Sequence, residues 1–232
     1  MGDLADHGIV LVRAANPSPL TLSGTNTWVV GGWVVDPGPA IDAHLDAVAA
    51  AVGRCDGIAL THDHADHVEG LPGLLERVGD VPVVSFRAGA RDGDRYGPLC
   101  VVSLPGHSED HLAYVAGRAA FVGDAVLGEG SVFVSSDLVG YLDGLRRLRT
   151  LDLAVLCPGH GEPIWDVAAK LDGYVAHRLE RERLLVAALA RGLRSEDELL
   201  DAAWGDAPAS LRPFAAMSLR AHLDKLRAEG RA

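Results

Sequence analysis

The sequence reads Thr61-His62-Asp63-His64-Ala65-Asp66-His67 directly after a short apolar run, Ile58-Ala59-Leu60. Three imidazoles and two carboxylates thus fall within seven residues, and such groups are the usual protein ligands of zinc and similar cations. Alternate side chains of an extended chain point the same way, so His62, His64 and Asp66 can share one face. His67 breaks this alternation where the chain turns into a helix. The segment therefore predicts two adjacent metal ions, with His62 and His64 on one and Asp66 and His67 on the other.

Further candidate ligands appear downstream, each at the end of a strand-like apolar run. They lie in Leu104-Pro105-Gly106-His107, Phe121-Val122-Gly123-Asp124 and Leu156-Cys157-Pro158-Gly159-His160-Gly161. Each segment pairs a glycine with a candidate ligand, as expected where the backbone must turn tightly beside an ion. The alternative interpretation is a solvated loop that is rich in histidine by chance. The ordered recurrence of ligand-bearing segments disfavours that alternative and predicts a metal centre.

The order HxHxDH, then His, Asp and His, resembles the metallo-β-lactamase superfamily of hydrolases. The resemblance covers most of residues 8–165, and no ligand of the family pattern is missing. The ligand sets that it implies are His62, His64 and His107 for one metal, Asp66, His67 and His160 for the other, and Asp124 as the bridge between them. It also implies that Asp36 steadies the metal loop, as an outer contact of the ligands does. An Asp before Pro37-Gly38 is equally typical of a turn.

A closer resemblance within this superfamily is to the lactamase-beta-like-2 group. It rests on three segments, Leu22-Ser23-Gly24-Thr25-Asn26-Thr27-Trp28, Pro105-Gly106-His107-Ser108-Glu109-Asp110-His111 and His177-Arg178-Leu179-Glu180-Arg181-Glu182. The best-known animal member of this group is a mitochondrial endoribonuclease, whereas its bacterial members are described mostly as hydrolases. Glyoxalase II is a more distant relative that shares the same metal ligands. The resemblance therefore implies the catalytic machinery more closely than the substrate.

Two zones of the sequence predict two domains. Residues 8 to about 165 alternate short apolar runs with Gly/Pro turns and helical stretches, which is typical of an α/β or α+β fold. From residue 168 the strand signals vanish, and Ser195-Glu196-Asp197-Glu198 is a typical helix start. We therefore predict a catalytic domain over residues 1–167 and a helical domain over residues 168–232. The resemblance implies an αββα sandwich for the first, with the ligands at one end, and a winged-helix-like arrangement for the second.

Individual elements can also be predicted from periodicity and turn signals. The predicted hairpins are 28–30 with 33–35, joined by Gly31-Gly32, and 111–116 with 119–122. The predicted helices are 41–52, 68–78, 138–151, 171–190 and 208–229.

Composition indicates an ordinary soluble enzyme. The 232 residues, 48% of them hydrophobic, suffice for one large core and a small appendage. No apolar run approaches the roughly 20 residues that cross a bilayer, and Met1-Gly2-Asp3-Leu4-Ala5-Asp6 lacks the features of a secretory signal. The scattered cysteines Cys55, Cys100 and Cys157 argue against a disulfide framework. We therefore expect a cytoplasmic protein that does not contact membranes.

The distribution of charge bears on nucleic acid as a partner. The net charge is −11, and residues 168–232 carry 11 basic and 10 acidic side chains. The preceding residues carry 10 basic and 22 acidic side chains. Proteins that follow a phosphate backbone present a basic stripe, and aromatic residues for base stacking make up only 5% of this chain. A small molecule is therefore expected as the substrate, with RNA disfavoured.

The expected chemistry is hydrolysis at a dinuclear centre that holds two Zn²⁺ ions or, alternatively, iron or manganese. Two such ions about 3.5–4 Å apart can share a bridging hydroxide and polarise the electrophile, and we assign Asp66 the catalytic role of orienting that hydroxide. The first hypothesis for the substrate is a small thioester, ester or lactone. The alternatives are a single-strand endoribonuclease and an iron-dependent persulfide-oxidising enzyme of the same fold. Asn26, His177 and Arg178 are candidate substrate contacts.

Overall fold

A computed structural model describes residues 2–232. The first of its two sheets contains five strands. They are β1 (Ile9–Arg13), β2 (Asn26–Val30), β3 (Trp33–Val35), β4 (Gly57–Ala59) and β5 (Val83–Val84), in that spatial order. The pairs β1–β2 and β2–β3 are antiparallel, whereas β3–β4 and β4–β5 are parallel. The predicted β2–β3 hairpin is confirmed, and its turn residues Gly31 and Gly32 have φ of 52° and 78°. Glycine adopts these angles at little cost, as a two-residue hairpin turn requires.

The second sheet also contains five strands, in the order β10-β9-β8-β7-β6. They are β6 (Arg95–Tyr96), β7 (Leu99–Ser103), β8 (Leu112–Ala116), β9 (Ala119–Gly123) and β10 (Val155–Pro158). The predicted β8–β9 hairpin is confirmed, and Tyr114 pairs with Phe121 in its register. β9 and β10 are parallel, and β7 and β9 are both antiparallel to β8. The carboxyl ends of β7, β9 and β10 therefore lie at the same edge of this sheet.

The helices of the described chain are α1 (Asp42–Val52), α2 (Ala65–Val68), α3 (Leu71–Val78), α4 (Leu138–Thr150), α5 (Val167–Ala190), α6 (Glu196–Trp204) and α7 (Arg212–Ala228), with 3-10 turns at Leu4–His7 and Ala209–Leu211. The prediction of one helix over 68–78 is wrong, because the chain forms two helices that are interrupted at Gly70. The amide of Gly70 donates to the carbonyl of Gly38 over 2.8 Å. A Cβ at Gly70 would lie 2.8 Å from that oxygen, so a side chain does not fit here. None of the described helices is both long and apolar enough to cross a membrane.

Four layers of secondary structure bury three apolar clusters. The space between the two sheets is filled by side chains such as Trp28, Val35, Tyr114 and Phe121. The outer face of the first sheet packs on α1 and α3, in a cluster that includes Val34, Leu45, Ile58 and Leu74. The outer face of the second sheet packs on α4 and α5, in a cluster that includes Leu104, Val122, Leu145 and Leu171. This arrangement is the αββα sandwich that the resemblance implies.

The C-terminal helices form an apolar cluster of their own. Leu185 of α5, Trp204 of α6 and Leu219 of α7 are among its buried members. The predicted start of α6 is confirmed, since Ser195 and Glu198 form a capping box in which each side chain accepts from the backbone N–H of the other. The proposed boundary at residue 168 falls at the beginning of α5, whose first turns pack on the sandwich and whose last turns pack on α6. The division into two domains at that residue stays a prediction.

Candidate metal centre

The candidate ligands lie where strands end. His62 and His64 follow β4, His107 follows β7, Asp124 follows β9 directly, and His160 follows β10. Three of these strands have their carboxyl ends at one edge of the second sheet, which brings their ligands together. Leu112 N, at the start of β8, donates to the carbonyl of Thr61 over 2.7 Å, and this bond joins the loop after β4 to the same edge. The topology therefore gathers ligands that are far apart in the sequence.

One cluster contains His62, His64, His107 and Asp124. His62 Nε2 and His107 Nε2 each lie 3.0 Å from His64 Nδ1. Asp124 Oδ2 lies 3.7 Å from His107 Nε2. Three ring nitrogens thus converge on one point, with a carboxylate beside them.

The other cluster contains Asp66, His67 and His160. Asp66 Oδ2 lies 3.6 Å from His67 Nε2 and 3.3 Å from His160 Nε2. Asp124 reaches this cluster as well, since its Oδ1 lies 3.4 Å from His67 Nε2 and its Oδ2 lies 3.3 Å from His160 Nε2. The carboxylate of Asp124 therefore stands between both clusters, in the position that was expected of a bridge.

Two unsatisfied atoms test whether these residues fit a cation. His67 Nε2 and Asp124 Oδ1 are both buried, and neither has a hydrogen-bond partner within residues 2–232. Burying a polar atom without a partner costs about 1–3 kcal/mol, and these two atoms lie 3.4 Å apart, where both can offer a lone pair to one cation. A divalent cation coordinated by imidazole nitrogen and carboxylate oxygen would satisfy both atoms. The residues fit a dinuclear metal site.

Outer contacts fix the orientation of the ligands. Asp36 accepts hydrogen bonds from Thr61 N and Thr61 Oγ1, both over 2.7 Å, and its Oδ2 lies 2.9 Å from His67 Nδ1. The expected contact of Asp36 with the metal loop is confirmed. Its φ of 55° lies in the left-handed region, which Asp tolerates better than most residues. Thr25 Oγ1 donates to Asp66 Oδ2 over 2.9 Å, and such contacts hold a metal ligand in one rotamer.

The electrostatics of the two clusters differ. Burial, together with the neighbouring imidazoles, lowers the pKa of His62, and burial lowers the pKa of His107 to about 4. Both rings are therefore neutral and offer a lone pair to a cation. Burial acts in the same direction on His160, but hydrogen bonds with Asp124 and Asp66 outweigh it and raise its pKa to about 9. A cation that binds the second cluster therefore displaces protons from it, as metal binding to imidazole requires.

Asp66 is ionised in this setting. Burial opposes its ionisation, but a hydrogen bond from His160, the charge on His67 and a hydrogen bond from Thr25 lower its pKa to about 2. The carboxylate lies at the wall of the cavity described below, so it can accept a hydrogen bond from a bound water.

His111 was quoted in a motif but was not predicted as part of the site. Its ring is buried, its Nε2 accepts from the backbone N–H of Asp124 over 3.2 Å, and it stacks on His62 with 4.9 Å between ring centroids. The spacing of four residues from His107, within Pro105–His111, is the signal that could have indicated it. His111 thus supports one ligand from each of two loops.

The three residues expected to contact substrate have other partners. Asn26 is buried, and its amide donates to the carbonyls of Pro158 and Gly161 over 3.0 and 2.8 Å. Arg178 is buried and donates to Ser131 Oγ and to the carbonyl of Val132. His177 Nε2 accepts from Arg181 Nε over 3.1 Å, and His177 lines two cavities, one among the C-terminal helices and one between these helices and residues 131–133. None of the three lines the cavity that reaches the metal ligands.

A cavity of about 780 Å³ opens onto both ligand clusters. The ligands in its wall are His64, Asp66, His107, Asp124 and His160. Its apolar wall is formed by Leu127, Val132 and Phe133 of the segment between β9 and α4 and by Phe214 and Met217 of α7, with Leu20 from the loop before β2. The described lining contains Glu69 and Glu109 but no Lys or Arg. The cavity thus joins a polar, metal-ligating end to an apolar wall.

Comparison with known proteins places the chain in a family. Residues 20–87 and 79–160 match the family model of the Metallo-beta-lactamase superfamily. The chain belongs to this superfamily. Residues 195–232 match a second family model, the Beta-lactamase associated winged helix domain, in agreement with the arrangement expected for the C-terminal helices.

Individual proteins resemble the chain over most of its length. The Beta-lactamase-like protein 2 homolog of Caenorhabditis elegans is 29% identical, over 96% of this chain and 85% of that protein. The Atrochrysone carboxyl ACP thioesterase AgnL7 of Paecilomyces divaricatus is 31% identical, over 79% of this chain and 65% of that protein. Among solved structures, a metallo-beta-lactamase family protein of Thermus thermophilus is 25% identical with a TM-score of 0.71, and the match covers 97% of this chain and 94% of that one.

Proposed function

We propose that this superfamily member is a metal-dependent hydrolase of thioesters or esters that carry an extended apolar chain. The observation that carries the proposal is the cavity, which joins the two ligand clusters to the apolar wall. The similarity to a protein named as an acyl-carrier-protein thioesterase supports the same reaction class.

The ligands divide between two cations in this proposal. His62, His64 and His107 would hold one and Asp66, His67 and His160 the other, with Asp124 between them. When bound, two divalent ions supply an activated water and polarise a carbonyl oxygen. Zinc is proposed because imidazole and carboxylate together suit it, and iron and manganese are the alternatives.

The chain's own residues orient the reactants. The ionised Asp66, whose carboxylate accepts from Thr25 Oγ1, would accept a hydrogen bond from the attacking water and so orient the lone pair of that water toward the cavity. The neighbouring carboxylates of Glu69 and Glu109 make the rim acidic. An apolar chain on the substrate would lie along Val132, Phe133 and Met217, where its burial removes apolar surface from water.

The lining weighs against RNA as a substrate. A phosphodiester backbone is normally met by Lys and Arg, and the described wall of the cavity offers neither. Apolar and acidic surfaces favour a neutral acyl group instead.

All three cysteines are unpaired, which supports the proposed cytoplasmic location.

The test combines elemental analysis of the purified protein with a hydrolysis panel. The panel contains acyl thioesters of increasing chain length, an aryl ester, a lactone and a short single-stranded RNA. We expect two metal ions per chain and turnover of the longer thioesters or esters, lost in His64→Ala and retained in His7→Ala, a histidine outside the cavity. RNA cleavage without acyl turnover would replace this proposal with a nuclease, and iron without any hydrolysis would replace it with oxygen chemistry.

A further inference from the structure

The segment from Ser131 to Ser136 runs between Gly130 and the cap of α4 and contains neither helix nor strand. It nevertheless contributes Val132, Phe133 and Ser135 to the wall of the cavity. A segment without regular structure depends on other contacts to fix its position, so its hydrogen bonds determine the shape of the groove.

The C-terminal helices hold one side of this segment. Arg178 of α5 donates through Nη2 to Ser131 Oγ over 2.8 Å and to the carbonyl of Val132. The backbone N–H of Val134 donates to Ser218 Oγ of α7 over 3.0 Å. These contacts are buried or partly buried, so little water is present to replace them.

The catalytic part of the chain holds the other side. The backbone N–H groups of Ser135 and Ser136 donate to the carbonyl of Gly106 over 2.7 and 3.2 Å. Ser135 Oγ donates to the carbonyl of the metal ligand His107 over 2.7 Å. The segment thus links the C-terminal helices directly to the backbone beside a ligand.

Arg178 has an unusual environment for an arginine. Its side chain is 2% exposed, and within residues 2–232 no carboxylate pairs with it, whereas its neighbours Arg181 and Arg183 pair with Asp206 and Glu180. An uncompensated buried charge is unfavourable for stability by itself. The hydrogen bonds that the guanidinium makes go through Nη2 to the hydroxyl and carbonyl oxygens of one segment, while its buried Nε has no partner within residues 2–232. Its position is therefore best explained by the orientation it gives to that segment.

The position of this segment determines where the side chain of Phe133 lies. Its ring stacks on Phe214 of α7 with 4.6 Å between centroids and an interplanar angle of 22°. Phe133 and Phe214 both line the cavity, together with Met217. The apolar wall is thus assembled from two parts of the chain, and its fit depends on where the segment 131–136 lies.

We infer that Arg178 is a positioning residue that sets the preference for the apolar chain of the substrate, by holding Val132 and Phe133 against the C-terminal helix. The substrate preference in this inference rests on the proposed function. The position of the segment 131–136 does not, because it can be measured without any substrate. This positioning role differs from the substrate contact expected of Arg178, because the guanidinium orients residues of the cavity wall and does not touch the substrate.

The experiment compares Arg178→Met and Arg178→Lys with Arg183→Met, since Arg183 is an exposed arginine on the same helix that pairs with Glu180. Hydrogen exchange of the backbone amides of residues 131–136 reports the position of the segment, and metal content reports the integrity of the site. KM and kcat for short and long acyl thioesters report how well the groove binds an apolar chain. Ser218→Ala removes a single contact and serves if Arg178→Met does not fold.

We expect Arg178→Met to exchange faster in residues 131–136, to keep its metal, and to raise KM for long chains by roughly tenfold, the loss of about one charged hydrogen bond. KM for an acetyl thioester and kcat should change little, and Arg183→Met should match the parent protein. Unchanged exchange in Arg178→Met and Ser218→Ala, or equal losses for short and long chains, would overturn the inference. If the parent protein hydrolyses no acyl compound, the proposed function fails, while the exchange measurement still decides whether Arg178 positions the segment.

Discussion

Asp36 Oδ2 lies 2.9 Å from His67 Nδ1, on the side of the ring opposite to the nitrogen that faces Asp66 and Asp124. The same carboxylate accepts from the backbone and hydroxyl of Thr61, so it ties the beginning of the metal loop to its end. The relationship fixes which nitrogen of His67 is free to bind a cation, because a ring that donates through one nitrogen presents the lone pair of the other.

This relationship leads to a prediction for Asp36. Asp36→Asn keeps the left-handed backbone tolerable, since Asn adopts it readily, but it removes the charge that holds His67. We expect metal affinity to fall about 10–100-fold, as is typical for the loss of an outer contact, with the fold retained. Asp36→Ala should be less stable than Asp36→Asn by about 1 kcal/mol, because alanine is disfavoured at the φ of 55° that this position requires. Competition with a chromogenic chelator measures the affinity, and equal affinity in Asp36→Asn and the parent protein would contradict the account.

Metal removal should lower the melting temperature. A cation that binds only the folded chain adds about 2.7 kcal/mol of stability at a free concentration of roughly 100 times its Kd. In a chain of this length each kcal/mol raises the melting temperature by about 2–4 °C. Scanning calorimetry after chelation, and again after zinc is restored, should show this shift in the parent protein and a smaller one in His64→Ala. A chelator without effect on the parent protein would indicate that the clusters bind no cation.

The length of the substrate chain should control specificity. Burial of each methylene contributes up to ~0.8 kcal/mol, so kcat/KM should rise by up to about fourfold per added methylene until the apolar wall is covered. Phe133→Ala should flatten this dependence, whereas Leu151→Ala, an exposed leucine outside the cavity, should not. Kinetics on a homologous series of thioesters provide the measurement. If kcat/KM depends as steeply on the length of the substrate in Phe133→Ala as in the parent protein, the apolar chain of the substrate does not lie against Phe133.

The break between α2 and α3 leads to a prediction about stability. Gly70→Ala would place a Cβ 2.8 Å from the carbonyl oxygen of Gly38, so the backbone must shift. We expect a loss of about 1–3 kcal/mol in the free energy of unfolding, as is typical of overpacking. Gly173→Ala in α5 is the matched control, since nothing lies within 4 Å of its Cβ position, and it should stabilise the helix by up to ~1 kcal/mol. Denaturant unfolding of both variants distinguishes steric conflict from the general effect of replacing glycine.

The two clusters of candidate ligands could be predicted from the sequence because their pattern is local. His62, His64, Asp66 and His67 lie within residues 62–67, which run from the end of β4 into α2, and each later candidate ligand follows an apolar strand. Strands of five residues such as β8 and β9 also carry their own signal, an apolar run ended by a glycine turn. Where the physical cause is short-range, the sequence displays it directly.

The partners of the buried polar residues could not be predicted in this way. Asn26 and Arg178 meet backbone carbonyls that are 132 and 46 residues away in the sequence. Nothing in their own neighbourhoods distinguishes a side chain that faces substrate from one that faces a distant carbonyl. The interruption at Gly70 has the same origin, since its cause is the carbonyl of Gly38 on another segment. Long-range backbone contacts therefore account for most of the difference between prediction and structure.

The most direct test of the central claim is metal content measured together with acyl thioester hydrolysis, in the parent protein and in His64→Ala. Two metal ions per chain and thioester turnover in the parent protein, with both reduced in His64→Ala, are the predicted result. Full turnover in His64→Ala, or a parent protein that binds no metal and still hydrolyses the substrate, would contradict the claim that these clusters carry the reaction.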